Sequence, residues 1–382
     1  MLLTAKLKLR PTEEQVRLLL EFMERYNQAC NMVSAIAFHD RNWNRVKLQK
    51  QCYYGIRQDF DLAAQSTILA VRKVCDSYRT DIENIRIRDR TRPRDEPKEE
   101  LKQHAFKKHG AVAYDIRCLS WKGRENVSIL TLGGRIAVPI VLSGKYAALD
   151  LATVRGEADL LYRKKEFYLA VVYDVPEQPM AFVSDHIGCD LGRKNILSTS
   201  DGTLYCGETC EANRQRYVRL RKIFQRVGTK SAHKHLSKID RREANFKANE
   251  NHHISKELVA EAKGTGRGIA LEELTHIPDL VTVNKAANDG SSKWVFAQLR
   301  FDIEYKAKLY GVPVVLVDPA YTSQTCSECG FVHADNRKSQ SSFICLRCGH
   351  AENADLNAAK NIRNGARAAV IRPIVVRHAV GA

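Results

Sequence analysis

Two Cys-x-x-Cys knuckles constrain this chain more than any other feature. Cys326 and Cys329 lie in Thr325-Cys-Ser-Glu-Cys-Gly, and Cys345 and Cys348 in Phe343-Ile-Cys-Leu-Arg-Cys-Gly. That spacing wraps four thiolates tetrahedrally around one zinc ion. Gly330 and Gly349 follow the knuckles and can take the positive φ that a tight metal-binding turn needs. Four cysteines leave no ligand position open, so zinc at Cys326, Cys329, Cys345 and Cys348 is structural and folds the loop around it. Asp355-Leu-Asn-Ala-Ala comes directly after and puts an acid at the start of a small-residue helix.

At 382 residues the chain can hold two or three domains, each with its own core. No run approaches the roughly 20 apolar residues needed to cross a bilayer. The first ten residues alternate instead of forming a signal-peptide core, so a cytosolic (cytoplasmic or nucleoid-associated) or nuclear protein is expected. The seven cysteines outside the knuckles have no framework spacing, and their odd number argues against disulfides. A net charge of +17 favours phosphate backbones through counterion release. The rival partner, an anionic membrane, calls for a basic amphipathic helix with a Trp/Phe/Leu face, and none is evident.

Leu3, Ala5, Leu7 and Leu9 alternate with Lys6, Lys8 and Arg10, the pattern of a half-buried strand. Pro11 ends it, and Thr12 with Gln15 makes a capping box for a helix. Helical spacing continues to about residue 88, while the charged stretch Arg86 to Glu100, with Pro93 and Pro97, reads as a linker or exposed loop. From about 106 to 178 the period is two. One hairpin turns at Gly133-Gly134 and another at Arg163-Lys-Lys. The simplest account is a small β-barrel whose first strand is residues 1–10, with a helical module inserted. Beyond about 181, strands alternate with helical segments, which indicates an α/β sheet with ligands at its strand ends.

Asp190, Glu272 and Asp355 stand out because each ends an apolar strand or starts a helix. Buried carboxylates need a cation or hydrogen-bonding partner. Taken singly, each acid is explained as a helix cap or an ion-pair partner. If the three converge they form an oxygen-rich site for Mg²⁺ or Mn²⁺, and two such ions can drive phosphodiester hydrolysis. Between the first two acids, Arg214, Arg216, Arg219, Arg221, Lys222, Arg226, Lys230 and Lys234 accompany Tyr217, Val218, Leu220, Ile223, Phe224 and Val227. This reads as a helical hairpin with one face packed and one facing phosphates; a solvated charged helix is the plainer alternative. Residues from about 364 to 382 are expected to be partly disordered.

Asp190-Leu-Gly-Arg-Lys-Asn, Leu271-Glu-Glu-Leu, Tyr321-Thr-Ser-Gln-Thr-Cys-Ser-Glu-Cys-Gly and Asp355-Leu-Asn-Ala-Ala-Lys-Asn-Ile resemble, in order, motifs of the TnpB family. These are transposon-encoded, RNA-guided nucleases related to compact type V CRISPR effectors. The resemblance implies a multidomain α/β chain. A RuvC-like nuclease of RNase H fold (181–319 and 351–382, with the basic hairpin at 212–262) would carry an inserted Cys₄ ribbon (320–350). An N-terminal barrel (1–10 and 106–180) and a helical lobe (11–105) would grip a guide RNA–DNA duplex. It implies Asp190, Glu272 and Asp355 as catalytic Mg²⁺ ligands, with guide RNA and double-stranded target DNA as partners. The second motif departs from the family's usual Glu-Asp-Leu at Glu273; Glu272 holds the family's Glu position. A conventional DNA transposase and a catalytically silent RNA-guided DNA-binding protein are the rival readings.

Overall fold

The alternation at the N-terminus builds the middle of a sheet. In β1 (Leu2–Leu9), Ala5, Leu7 and Leu9 are buried while Lys6 faces outward. The computed structural model describes residues 1–92, 96–192, 195–273, 291–339 and 341–371. The chain divides into two compact units, Met1–Val175 and Pro176–Ala382.

In the first unit, β1 is followed by three helices, α1 (Glu13–His39), α2 (Arg45–Phe60) and α3 (Ala64–Thr91). The Thr12–Gln15 capping box starts α1 as the sequence indicates. The strands β2 (Val112–Tyr114), β3 (Leu119–Lys122), β4 (Asn126–Thr131), β5 (Gly134–Val141), β6 (Val154–Arg163) and β7 (Glu166–Asp174) come next. They pair in the order β2-β6-β7-β1-β5-β4-β3, every pair antiparallel. The expected barrel is therefore a nearly closed sheet with β2 and β3 at its edges. Both expected hairpins form; Lys164 and Lys165 carry the second turn with positive φ. Leu7, Phe22, Tyr26, Cys52, Val74 and Val171 share one continuous core, so helices and sheet bury their apolar faces against each other.

One reading is corrected here. The stretch from Arg86 is not loop at its start, because α3 continues to Thr91. Ion pairs one turn apart, Arg86–Glu83 and Arg92–Asp89, and the fork of Arg88 on Glu99 support a helix that charge density alone obscures. Pro93 lies outside the described residues.

The second unit is built on a five-stranded sheet, β10-β9-β8-β11-β12. Its strands are β8 (His186–Asp190), β9 (Asn195–Thr199), β10 (Leu204–Cys206), β11 (Gly268–Glu272) and β12 (Val314–Val317). The first three form an antiparallel meander, whereas β11 runs parallel to both β8 and β12. Helices α4 (Glu208–Val227) and α5 (Lys230–Gly264) form a hairpin that turns at Gly228 and Thr229, and α6 (Ser291–Tyr310) precedes β12. The knuckles flank β13 (Ser342–Ile344), and β14 (Ala351–Asn353) leads into α7 (Ala354–Ile371).

Gly188 makes the approach of α7 to β8 possible: a Cβ there would stand 2.0 Å from the Ala359 carbonyl oxygen. Asp185 then anchors the helix by hydrogen bonds from Arg363 and Arg367. Residues 364–371 continue α7, so the expected disorder does not begin at 364; residues 372–382 lie outside the described part. Nine cysteines are described, and all nine are free.

Candidate metal centres and acidic site

The four knuckle cysteines come together. Sγ of Cys326 lies 3.7 Å from that of Cys348, and Sγ of Cys329 lies 3.6 Å from that of Cys345. All four sulfurs fall within 4.8 Å of one another. Four thiolates each about 2.3 Å from a central zinc stand about 3.8 Å apart, so the donor set fits a tetrahedral zinc site. Gly330 and Gly349 take φ of 71° and 74°, as the turns require. Asn336, fully buried, staples the knuckles. Its Nδ2 donates to the carbonyls of Gln324 and Phe331, and its Oδ1 accepts from the Leu346 amide.

The three acids meet at one end of the second unit's sheet, where its central parallel strands stop. Asp190 ends β8, and Glu272 ends the adjacent parallel strand β11, one step beyond the Leu271–Cys189 register pair. Asp355 sits in the first turn of α7, whose leading amides are capped by Asn353 Oδ1. Asn195, from the start of β9, donates to Asp355 Oδ2 at 2.8 Å. Thr322 donates to Glu272 Oε1 at 2.6 Å. Arg337, from the segment between the knuckles, places Nη2 3.5 Å from Asp355 Oδ1.

The electrostatics reflect this crowding. Burial pushes the Asp190 carboxyl up to about 7, and the charges of Glu272 and Asp355 push the same way against Arg337. Glu272 is also raised by burial, opposed by the Thr322 hydrogen bond and by Arg337. Such mutual disfavour of ionisation is relieved by a bound cation. Among the described residues only the four cysteines bring three or more ligand atoms within 4.8 Å of one another, so the carboxylates stand farther apart than a one-ion cage. An all-oxygen donor set of that kind fits hard divalent ions such as Mg²⁺ or Mn²⁺, with water completing the coordination.

Glu273 belongs elsewhere. Its carboxylate receives Arg300 from α6 at 3.0 Å, which leaves Glu272 as the acid beside Asp190. In the basic hairpin the sequence reading needs two corrections. Arg221 is occupied by Asp240 and Glu243 of α5, so it clips the hairpin together and is not free for phosphate. The apolar stripe of α4 is only partly packed: Ile223 and Val227, in its last turns, are more than half exposed. Arg216, Arg219, Lys222, Arg226, Lys230 and Lys234 face outward. The Arg214 side chain lies outside what the structure describes.

Sequence reading missed Asn195, Thr322 and Arg337. The first two stand inside the quoted motifs, in Asp190-Leu-Gly-Arg-Lys-Asn and Tyr321-Thr-Ser-Gln-Thr, where their polarity was the available signal. Arg337 had none.

The second unit thus combines clustered acids at parallel strand ends with a four-cysteine module ahead of its last helix. Residues 296–362, which include the knuckles and Asp355, match the family model described as Cas12f1-like, TNB domain. The chain is 31% identical over 260 residues to the CRISPR-associated endodeoxyribonuclease Cas12f1 of Sulfoacidibacillus thermotolerans, covering 63% of this chain and 59% of that protein. It is 30% identical over 193 residues to InsQ of Escherichia coli (strain K12), whose name describes an RNA-guided DNA endonuclease, covering 46% of this chain and 48% of InsQ. A TnpB-like protein of Methanocaldococcus jannaschii is 36% identical over 114 residues, 29% of this chain and 40% of that one. The chain thus spans about three fifths of the Cas12f1 relative and about half of InsQ. A solved Cas12f1-sgRNA-target DNA complex aligns over 95% of this chain and 99% of that one, at 18% identity and a TM-score of 0.37. Among the described residues no helix is long and apolar enough to cross a membrane.

Proposed function

We infer that this protein is an RNA-guided, metal-dependent DNA endonuclease of the kind carried by transposons, with a RuvC-like nuclease unit. The observation that carries the reading is the convergence of Asp190, Glu272 and Asp355, drawn from three distant parts of the chain, at one end of the α/β sheet. The names of the relatives, endodeoxyribonuclease and RNA-guided DNA endonuclease, supply the substrate and the guide.

Divalent ions held by the three acids would activate a water and stabilise the departing oxygen of the phosphodiester. The chain's own residues prepare that site. Asn195 and Thr322 each fix one carboxylate with a hydrogen bond, so the acids are oriented before substrate arrives. Arg337 supplies a positive group beside Asp355, where a phosphate would otherwise meet only carboxylates. The outward basic face of α4 and α5 would hold a nucleic-acid backbone by shape and charge, leaving sequence choice to base pairing with the guide. Zinc at the four cysteines would hold the ribbon that carries Arg337.

The test is to sequence the RNA that copurifies with the protein, then offer a matching DNA duplex with Mg²⁺. A discrete RNA with one variable end, and cutting abolished in Asp190→Ala while RNA binding persists, is the expected result. No discrete RNA, or undiminished cutting by Asp190→Ala, overturns the reading. Joined DNA products formed without RNA would identify a transposase instead.

A further inference from the structure

The short segment Thr322–Thr325, which leads into Cys326, touches both candidate centres. At one end the Thr322 hydroxyl reaches Glu272 Oε1 at 2.6 Å, with the Pro319 carbonyl oxygen farther off at 3.1 Å. A hydroxyl has one proton to give, and the ionised carboxylate is the stronger and nearer acceptor. At the other end the segment is tied to α7. Asn361 Nδ2 donates to the carbonyls of Thr322 at 2.8 Å and Thr325 at 2.6 Å. Asn357, fully buried, donates to the Thr325 carbonyl at 2.8 Å and accepts from the Ser327 amide, inside the first knuckle, at 2.9 Å.

Two features make this segment a strut and not merely a linker. The amides of Gln324 and Thr325 both close on the Tyr321 carbonyl, and Tyr321 itself holds φ of 62°. Left-handed backbone is unfavourable for a bulky residue, so the turn persists only because its surroundings over-determine it. The helix that supplies the amide ladder also carries Asp355, two residues ahead of Asn357. The second acid and the third are thus referred to the same stretch of backbone, one through a hydroxyl and one through a helix.

We propose that Thr322 is a positioning residue for Glu272, and that Asn357 and Asn361 make Thr322–Thr325 the strut through which the cysteine module sets the spacing of the acidic site. This rests on the reading of Asp190, Glu272 and Asp355 as a divalent-ion site. Loss of the Thr322 hydroxyl leaves Glu272 without that donor and lets the carboxylate leave the orientation in which it meets an ion. Loss of the amide ladder frees the turn to relax at Tyr321 and carries Thr322 with it.

The experiment titrates Mn²⁺ into the full chain without nucleic acid and follows the electron paramagnetic resonance signal of the free ion. Wild type, Thr322→Val and Thr322→Ser are compared, with zinc content and melting temperature measured for each. Outer-shell partners of metal ligands are worth about 10- to 100-fold in affinity, so Thr322→Val weakens Mn²⁺ binding by that factor while Thr322→Ser restores it. Zinc content and melting remain those of wild type in both. Equal Mn²⁺ affinity in Thr322→Val and wild type overturns the proposal. So does a weakened Thr322→Val that has also lost its zinc, or a Thr322→Ser no better than the valine, since either would make Thr322 a packing residue. The readout uses no DNA. A wild-type protein that binds Mn²⁺ with the expected variant pattern but cuts nothing would therefore refute the nuclease reading and leave this one standing.

Discussion

Arg337 faces Asp355 across 3.5 Å, setting a cation from the cysteine module against an acid at the start of α7. The same guanidinium opposes the upward shifts that burial imposes on the carboxyls of Asp190 and Glu272.

Removing that cation exposes the acids to their mutual repulsion. With its zinc in place and no added Mg²⁺, Arg337→Ala is expected to destabilise the second unit by about 1.5–3 kcal/mol, the range for hydrogen bonds to charged groups. Mg²⁺ should restore more stability to the variant than to wild type, because a bound ion takes over the neutralisation. Melting curves of the zinc-loaded proteins in Mg²⁺-free buffer and with Mg²⁺ check both halves. Equal Mg²⁺ stabilisation in the two proteins would contradict the placement of Arg337.

The cysteine module depends on its metal. Structural zinc in small modules contributes about 10–16 kcal/mol of apparent binding free energy, which is also their folding free energy. Cys345→Ser, or stripping with a strong chelator, is expected to abolish the bound zinc and open residues 321–350 to proteolysis. Atomic absorption and mapping of the cleavage sites measure the two effects. A ribbon that stayed protease-resistant without zinc would show that Asn336 and its hydrogen bonds suffice.

The position of Asp190 sets a pH dependence. Its carboxyl is raised to about 7 by burial and its acidic neighbours, so below that pH it is largely protonated in the ion-free protein. An incoming divalent ion must displace that proton. Mn²⁺ affinity should therefore fall about tenfold per pH unit below about 7 and level off above it. Titrations between pH 5.5 and 8.5 read this directly, and a profile flat through 7 would show Asp190 already ionised.

On the basic hairpin, different arginines should fail in different ways. Charge reversal at Arg216, Arg219 or Arg226 is expected to weaken RNA binding and lower the salt slope by about one for each phosphate left without its cation. Arg221→Ala should instead loosen the hairpin, since Arg221 is bound to Asp240 and Glu243. Anisotropy titrations at several salt concentrations, with circular dichroism of each variant, separate the two. Identical behaviour at Arg221 and Arg219 would dissolve the distinction.

What could be read in advance was what is local. The knuckles declare themselves because metal ligation demands a fixed spacing and a following glycine, both visible within six residues. The acids are legible because an apolar run that stops at a carboxylate is a recognisable strand end. Asn195 and Thr322 offered only their polarity and Arg337 not even that, because a lone polar side chain carries no period that names its partner. Arg86–Thr91 misled for a related reason: dense charge suggests a loop unless the ion pairs along a helix are anticipated. The exposed Ile223 and Val227 show the limit of an apolar stripe, which reports the face that can pack and not how much surface is there to receive it.

The hydrogen bond from Asn195 to Asp355 joins residues 160 positions apart, and it carries a message about timing. A chain emerging from the ribosome presents Asp190 early and Glu272 later, yet their common partner does not exist until α7 has been made. Until then the nascent protein holds two of its three acids, and the cysteine module and Arg337 arrive only shortly before the third. The acidic site is therefore incomplete for as long as the segments ahead of α7 are being synthesised. A ribosome that stalls before α7 releases a product that lacks a complete acidic site.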